Sequence, residues 1–131
     1  MRRALLVGGA VALAAAACVG AYVPATAALP PAPPADAFAR ALAVVRARYP
    51  RILVADATRF RIRTDWSPHE RAGAPGQRRA TLFVDPPGTL NVVVETRYLG
   101  FDLLGGPRWS SVRGDPSLER ELLEHVLSAL R

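Results

Sequence analysis

Apolar side chains recur at Phe38, Leu42, Val45 and Tyr49, the stripe of an amphipathic helix, with Arg40, Arg46 and Arg48 off it. Asp36 precedes the stripe, where its carboxylate can accept first-turn N–H groups, and Pro50 disfavours helical geometry in the residue before it. The period then drops to two. Arg51 to Asp56 is a short apolar run. From Thr58 to Trp66, Phe60, Ile62, Thr64 and Trp66 alternate with Arg59, Arg61, Arg63 and Asp65. One bent strand and a tight hairpin around Asp56-Ala57-Thr58 both fit that pattern. Ala80–Asp85 and Leu90–Tyr98 read as two strands of a hairpin around Pro86-Pro87-Gly88. The Gly/Pro-rich stretches Ser67–Arg79 and Gly100–Gly114 read as loops. Asp115-Pro116 supplies an N-cap and an N1 proline for a final helix, whose apolar face is Leu118, Leu122, Leu123, Val126, Leu127 and Leu130. Glu119, Glu121 and Glu124 suit the positive end of its dipole. The expected fold is α+β: an antiparallel sheet of three to four strands with two helices packed on one face, in helix–strands–helix order.

Ahead of this domain the pattern is different. Arg2 and Arg3 are followed by an apolar run with no charge before Asp36, the layout of an export signal. Three fates are open to it. Ala15-Ala16-Ala17-Cys18 resembles a bacterial lipobox, so cleavage before Cys18 would leave that cysteine to carry lipid. Ala25-Thr26-Ala27 is an A-x-A site for ordinary signal peptidase, which would discard Cys18. Left uncut, the run from Ala4 to Val23 is long enough to anchor in a bilayer. The chain therefore divides into a signal peptide or membrane anchor (1–27), a Pro-rich linker (28–35) and a single α+β domain (36–131). Four prolines in Ala28–Ala35 predict an extended spacer of about 25 Å, useful beside an anchor. Cys18 is the only cysteine, so no disulfide stabilises the domain.

Composition narrows the chemistry further. All 17 basic residues are arginine, and the formal net charge is +6. Arg59, Arg61 and Arg63 share one side of the alternating run, and Arg97, with Arg78 and Arg79, belongs to neighbouring segments. Such a face attracts phosphates or carboxylates. For an exported chain these belong to lipid head groups, lipopolysaccharide or anionic cell-wall polymer rather than nucleic acid. Trp109, in a Gly/Pro-rich loop, is a further candidate contact. Trp66 falls on the apolar side of its run and reads as core.

No catalytic constellation stands out. His69-Glu70 opens like H-E-x-x-H, but the second histidine is missing, so no metal site is expected. His125 sits among helix leucines, and Ser110-Ser111 and Gly105-Gly106 lack nucleophile-elbow and phosphate-loop frames. The reading is a non-catalytic domain without cofactor. Its expected partners are the membrane, through lipid or the N-terminal segment, and an envelope protein. A soluble secreted domain binding an anionic ligand or polymer through the arginine face is the alternative.

Arg61-Ile62-Arg63-Thr64-Asp65-Trp66, a strand ending in Thr-x-Trp after an acidic turn, is similar to a segment of small outer-membrane lipoproteins of the BamC-like kind. That resemblance covers about ten residues and the lipoprotein-and-linker layout. It implies a helix-grip fold and a non-enzymatic role in envelope assembly through protein–protein contact.

Overall fold

The computed structural model describes residues 23–131; Cys18 and the lipobox-like residues before it lie outside them. In chain order the elements are β1 (Ala25–Ala28), α1 (Pro34–Arg48), β2 (Ile52–Asp56), β3 (Arg61–Thr64), β4 (Ser67–Arg71), β5 (Ala74–Asp85), β6 (Thr89–Asp102), β7 (Gly106–Trp109), β8 (Arg113–Gly114) and α2 (Pro116–Leu130). All pairings are antiparallel. The sheet order is β1-β6-β5-β3-β2, with β4 beside β5, and β8 and β7 following β1 along the far edge of β6. The fold is thus α+β with two helices, as expected, but the sheet has eight strands among the described residues rather than three to four.

The helices cover one sheet face. Alternate residues of the two long strands, Ala80 and Leu82 on β5 and Leu90, Val92 and Val94 on β6, meet Phe38, Ala41 and Val45 of α1 and Leu122 and Val126 of α2. Each fully buried Leu or Val contributes about 1.5–3 kcal/mol, so this interlayer contact is the main stabilising term. Phe38 meets Phe60 edge-on, with ring centroids 5.4 Å apart. Among the described residues no helix is long and apolar enough to cross a membrane.

The extra strands come from segments whose turn residues read as breakers. Ser67–Arg79 is a hairpin in which Ala72 and Gly73, both with positive φ (50° and 81°), link β4 to β5. Two successive left-handed residues match the strand twist, so a tight connection replaces the expected loop. Pro68 is accommodated because β4 lies at the sheet's edge. Gly76 is required by packing: a Cβ there would lie 2.7 Å from the Tyr98 ring and 2.8 Å from the Arg97 carbonyl oxygen. Gly100–Gly114 likewise holds the end of β6, β7 and β8. Of the two readings of 51–66, the hairpin is the one found. Asp56 Oδ1 accepts from the N–H groups of Thr58 (3.0 Å) and Arg59 (3.2 Å), closing the turn between β2 and β3.

The N-terminal boundary also differs from expectation. Residues 25–28 form β1, paired with β6 from Ala25↔Val92 to Ala28↔Thr89. The Leu29 N–H donates to the Gly88 carbonyl (2.9 Å), and Leu29 and Ala32 pack on the core. The segment 28–35 is therefore bound to the domain and is not a free spacer. The helix begins at Pro34 rather than after Asp36. Pro33 is its N-cap without a side-chain bond, and Asp36 sits in the first turn. Proline suits this start because the first helical N–H groups lack partners anyway. At α2 the expected cap is present: Asp115 Oδ1 accepts from the Leu118 N–H at 3.1 Å.

Glu119 departs furthest from its expected role. It is 1% exposed, and its Oε2 accepts the Val94 N–H at 3.0 Å. The Asp115 N–H donates to the Val94 carbonyl at 2.8 Å. Both backbone groups of Val94, lying between the stretches of β6 that pair with β1 and β8, are thus satisfied by α2 and its cap. Burial raises the Glu119 carboxyl above its ordinary pKa, with the Val94 N–H pulling partly the other way. The folded state then holds this proton more tightly than the unfolded chain does. Its contribution to stability is full below the ordinary carboxylate range and is lost as pH rises through the folded pKa. Glu119→Gln keeps an acceptor for Val94 and removes the titration. Its urea midpoint should therefore gain on the parent's as pH rises from about 4 to 7. Glu119→Ala, compared at the acid end, should cost about 1–3 kcal/mol for the unpaired N–H.

Candidate binding surface

The sheet face away from the helices carries the arginines. On β3, Arg61 and Arg63 point outward, opposite Phe83 and Thr81 of β5. On β5 and β6, Arg79 faces Glu95, and Gln77 faces Arg97. Arg79 Nε lies 3.0 Å from Glu95 Oε1, an ion pair with both side chains about three-quarters buried. Arg97 donates through Nε (2.9 Å) and Nη2 (2.6 Å) to Gln77 Oε1. Glutamine cannot neutralise the guanidinium, so Arg97 keeps its charge without an acidic partner among the described residues.

A local irregularity brings aromatic rings to this face. The Ala80 N–H bonds to the Thr64 hydroxyl (2.9 Å), while Ser67 pairs with Arg78. Two residues, Asp65 and Trp66, therefore stand against one, Arg79. That is the count of a β-bulge, and one extra residue moves the next side chain to the opposite face. Trp66 does not join Phe60, Ile62 and Thr64 in the core, as strict alternation predicts. Its ring instead takes the guanidinium carbons of Arg79 and Arg97 at 4.4 and 4.2 Å from its centroid. Arg97 is shared with Trp109, at 4.7 Å. Trp109 reaches it from β7, opposite Leu99, and is 44% exposed.

Asp65 fixes the bulge. One carboxylate oxygen accepts the Trp66 N–H at 2.8 Å, and the other binds Arg51 Nη2. The Trp66 bond is the main reason this carboxyl lies below its ordinary range; burial, the next effect, opposes it, and Arg51 then adds to the lowering.

The five expected contact residues thus divide. Arg97 and Trp109 meet in one cluster with Trp66 and Arg79. Arg61 and Arg63 lie on the same sheet face, but β5 separates their strand from β6. Arg59 is in the β2–β3 turn, loosely paired with Asp56 at 3.9 Å. Arg78 lies on the helix side, its guanidinium 4.7 Å from the Tyr49 ring and donating to the Arg48 carbonyl. Cys18 is outside the described residues. Trp66 was missed because alternation was extended through the bulge. The signal was the spare residue between Thr64 and Ser67.

The histidines stand apart from this cluster. His69 lines a shallow groove with Glu70, Pro68, Pro75 and Gly76, and burial, then Arg78, lowers its pKa. Asp65 is not part of that groove. His125 is exposed, its Nδ1 2.7 Å from the Glu121 carbonyl oxygen. Among the described residues no three His, Cys, Asp or Glu side chains group as metal ligands. The chain matches no protein-family model and no curated protein.

What the cluster offers is a fixed positive charge between two aromatic faces, one of them open to solvent. Arginine and tryptophan in contact are the residue types that carry most binding energy at protein interfaces. Partly exposed cation–π contacts contribute about 0.5–1 kcal/mol each. Arg97→Ala removes two of them and the Gln77 bonds and should destabilise the domain by about 1–2 kcal/mol in denaturant unfolding. Arg61→Ala should stay within about 0.5 kcal/mol of the parent.

Proposed function

We propose that this chain is an exported, membrane-tethered domain of the cell envelope that acts by binding a protein partner, without catalysis of its own. The observation that carries the tether is β1. Cleavage after Ala27 would remove three of its four residues, including Ala25 and Ala27, which pack on the core. Cleavage before Cys18, or none, leaves β1 whole. The fold therefore favours the lipobox or the uncut anchor over the A-x-A site. With residues 25–35 bound to the domain, six residues, 19–24, remain between Cys18 and β1, seven Cα steps with a reach of about 24 Å.

The partner surface in this reading is the outer face around Arg97 and Trp109. Its mixed charge and aromatic character suits an acidic or polar protein segment. The likeness of Arg61–Trp66 to BamC-like lipoproteins points the same way, toward envelope assembly. The alternative, binding of an anionic polymer, draws on Arg61 and Arg63, both exposed and without an acidic partner among the described residues.

Mass analysis of the mature N-terminus tests the tether. A diacylated Cys18 that disappears in Cys18→Ala is the expected result, and a free N-terminus at Ala28 would overturn it. A chain beginning at Ala28 should also be less stable than one beginning at Val23, by about 2–3 kcal/mol for the lost ladder bonds. Paired denaturation curves measure that difference.

A further inference from the structure

Apart from the arginine–tryptophan cluster, the least expected surface is the tip of the β6–β7 hairpin. Leu103 and Leu104 are 97% and 99% exposed, and Phe101 beside them is 82% exposed. Such side chains at a protruding turn gain nothing from the fold. The turn itself is well made: the Leu104 N–H is bound by Asp102 Oδ1 at 3.1 Å, and Arg108 lies 3.7 Å from Asp102. The two charges beside the apex, Asp102 and Arg108, therefore balance.

At the base of the same hairpin lies a cavity of about 610 Å³, whose lining includes Arg71, Arg113, Tyr98, Ser110, Ser111 and one carboxylate, the α2 cap Asp115. Arg71 and Arg113 have no acidic partner among the described residues. The Tyr98 hydroxyl is buried without a protein partner. Unpaired arginines behind an exposed apolar tip match the character of an anionic membrane surface, negative at the headgroups and apolar beneath them.

The chain entry points to the same end. β1 runs antiparallel to β6, so Ala25, opposite Val92, is the end of β1 nearer the hairpin. Ten residues of β6 separate Val92 from Asp102, about 33 Å of straight strand. With the tip about 5–10 Å deep in the headgroup layer, the membrane surface lies about 23–28 Å from Ala25. Seven residues back to Cys18 reach about 24 Å. A lipid on Cys18 and the hairpin tip can thus meet one bilayer when the tip lies close to the full depth of about 10 Å.

We infer that the β6–β7 hairpin docks on an anionic phospholipid bilayer, with Phe101, Leu103 and Leu104 entering the apolar boundary and Arg71 and, behind it, Arg113 drawn to the negative surface. The reach argument rests on the tether proposed above; the exposed tip and its arginine cavity do not.

The test uses the full chain in the Cys18→Ser background, reconstituted into vesicles of phosphatidylcholine with or without phosphatidylglycerol. An environment-sensitive fluorophore is placed on Leu103→Cys or, at the opposite end of the sheet, on Thr58→Cys. Docking predicts that in phosphatidylglycerol vesicles the Leu103→Cys probe shifts to the blue, is quenched by brominated lipid and resists aqueous iodide. The Thr58→Cys probe should stay open to iodide. Replacing Arg71 and Arg113 by Gln should lower the ratio of lipid-quenched to iodide-quenched probe on the order of thirtyfold, from two basic side chains at an anionic surface. Adding Leu104→Asp, at a position with no packing to lose, should restore iodide access. A Leu103→Cys probe open to iodide in both vesicle types overturns the proposal. So does one shielded from iodide and brominated lipid alike, which would mean a second copy covers the tip. Flotation of the chain with the vesicles is scored separately, so failure of the N-terminal segment to hold the membrane is distinguishable from failure of the hairpin.

Discussion

The two hydrogen bonds that α2 and its cap make to Val94 hold this structure together where it is thinnest. β6 is the strand on which β1, β5, β7 and β8 all assemble. Along its outer edge β1 pairs up to Val92, and β8 begins at Glu95. The gap leaves one N–H and one carbonyl that no strand reaches. A buried unpaired peptide group costs about as much as a whole hydrogen bond contributes, so the gap must be filled. Glu119 and the Asp115 N–H fill it, and in doing so fix α2 against the sheet. The helix face that closes the core is thereby set by a polar contact. The constraint explains why a carboxylate is buried in a domain with few other buried charges. It also links the start of α2 to the cavity at the base of the β6–β7 hairpin, whose lining includes Asp115 and Ser117.

The parts of this fold that are legible in the sequence are those where one periodicity runs unbroken. Both helices show it, since Phe38, Val45 and Tyr49, and Leu122 and Val126, lie one above the other on a single face. The β5–β6 hairpin shows it too, with alternate residues from Leu90 to Thr96 buried. The missing strands lie where proline and glycine are dense. Those residues do break strands in a sheet interior, but β4 and β7 lie at margins where a missing N–H faces no ladder partner. Ala72-Gly73 is a turn too short to register as a connection between two elements. β1, only Ala and Thr, carries no pattern strong enough to separate it from the leader. Its role comes from the free edge of β6, which is not visible locally.

The candidate surface was half legible for a related reason. Arg97 and Trp109 were singled out by residue type, and they touch. Strict alternation puts their partner Trp66 in the core, because it runs through residues 65 and 66, where the chain spends one residue on a bulge. Arg59 was grouped with Arg61 and Arg63 by the same unbroken count, although the turn ends after it. Glu119, by its position in the first turn, reads as a partner of the helix dipole. Its spacing of three and seven from Leu122 and Val126 places it on the apolar stripe, and that spacing was the better guide.

β1 also determines how the domain would bear a mechanical load. A pull on the residues before Ala25 acts along the strand axis, because β1 lies parallel in space to the ladder it shares with β6. Bonds loaded in that direction stretch together, whereas bonds at a frayed hairpin end open one after another. Four residues of alanine and threonine then resist as a unit, and behind them stand Leu29, Ala32 and the first turn of α1. The force would reach the hydrophobic layer between helices and sheet only after that patch gives way. A domain held to a moving envelope by its N-terminus would thus have its shear-resistant strand at the point of attachment.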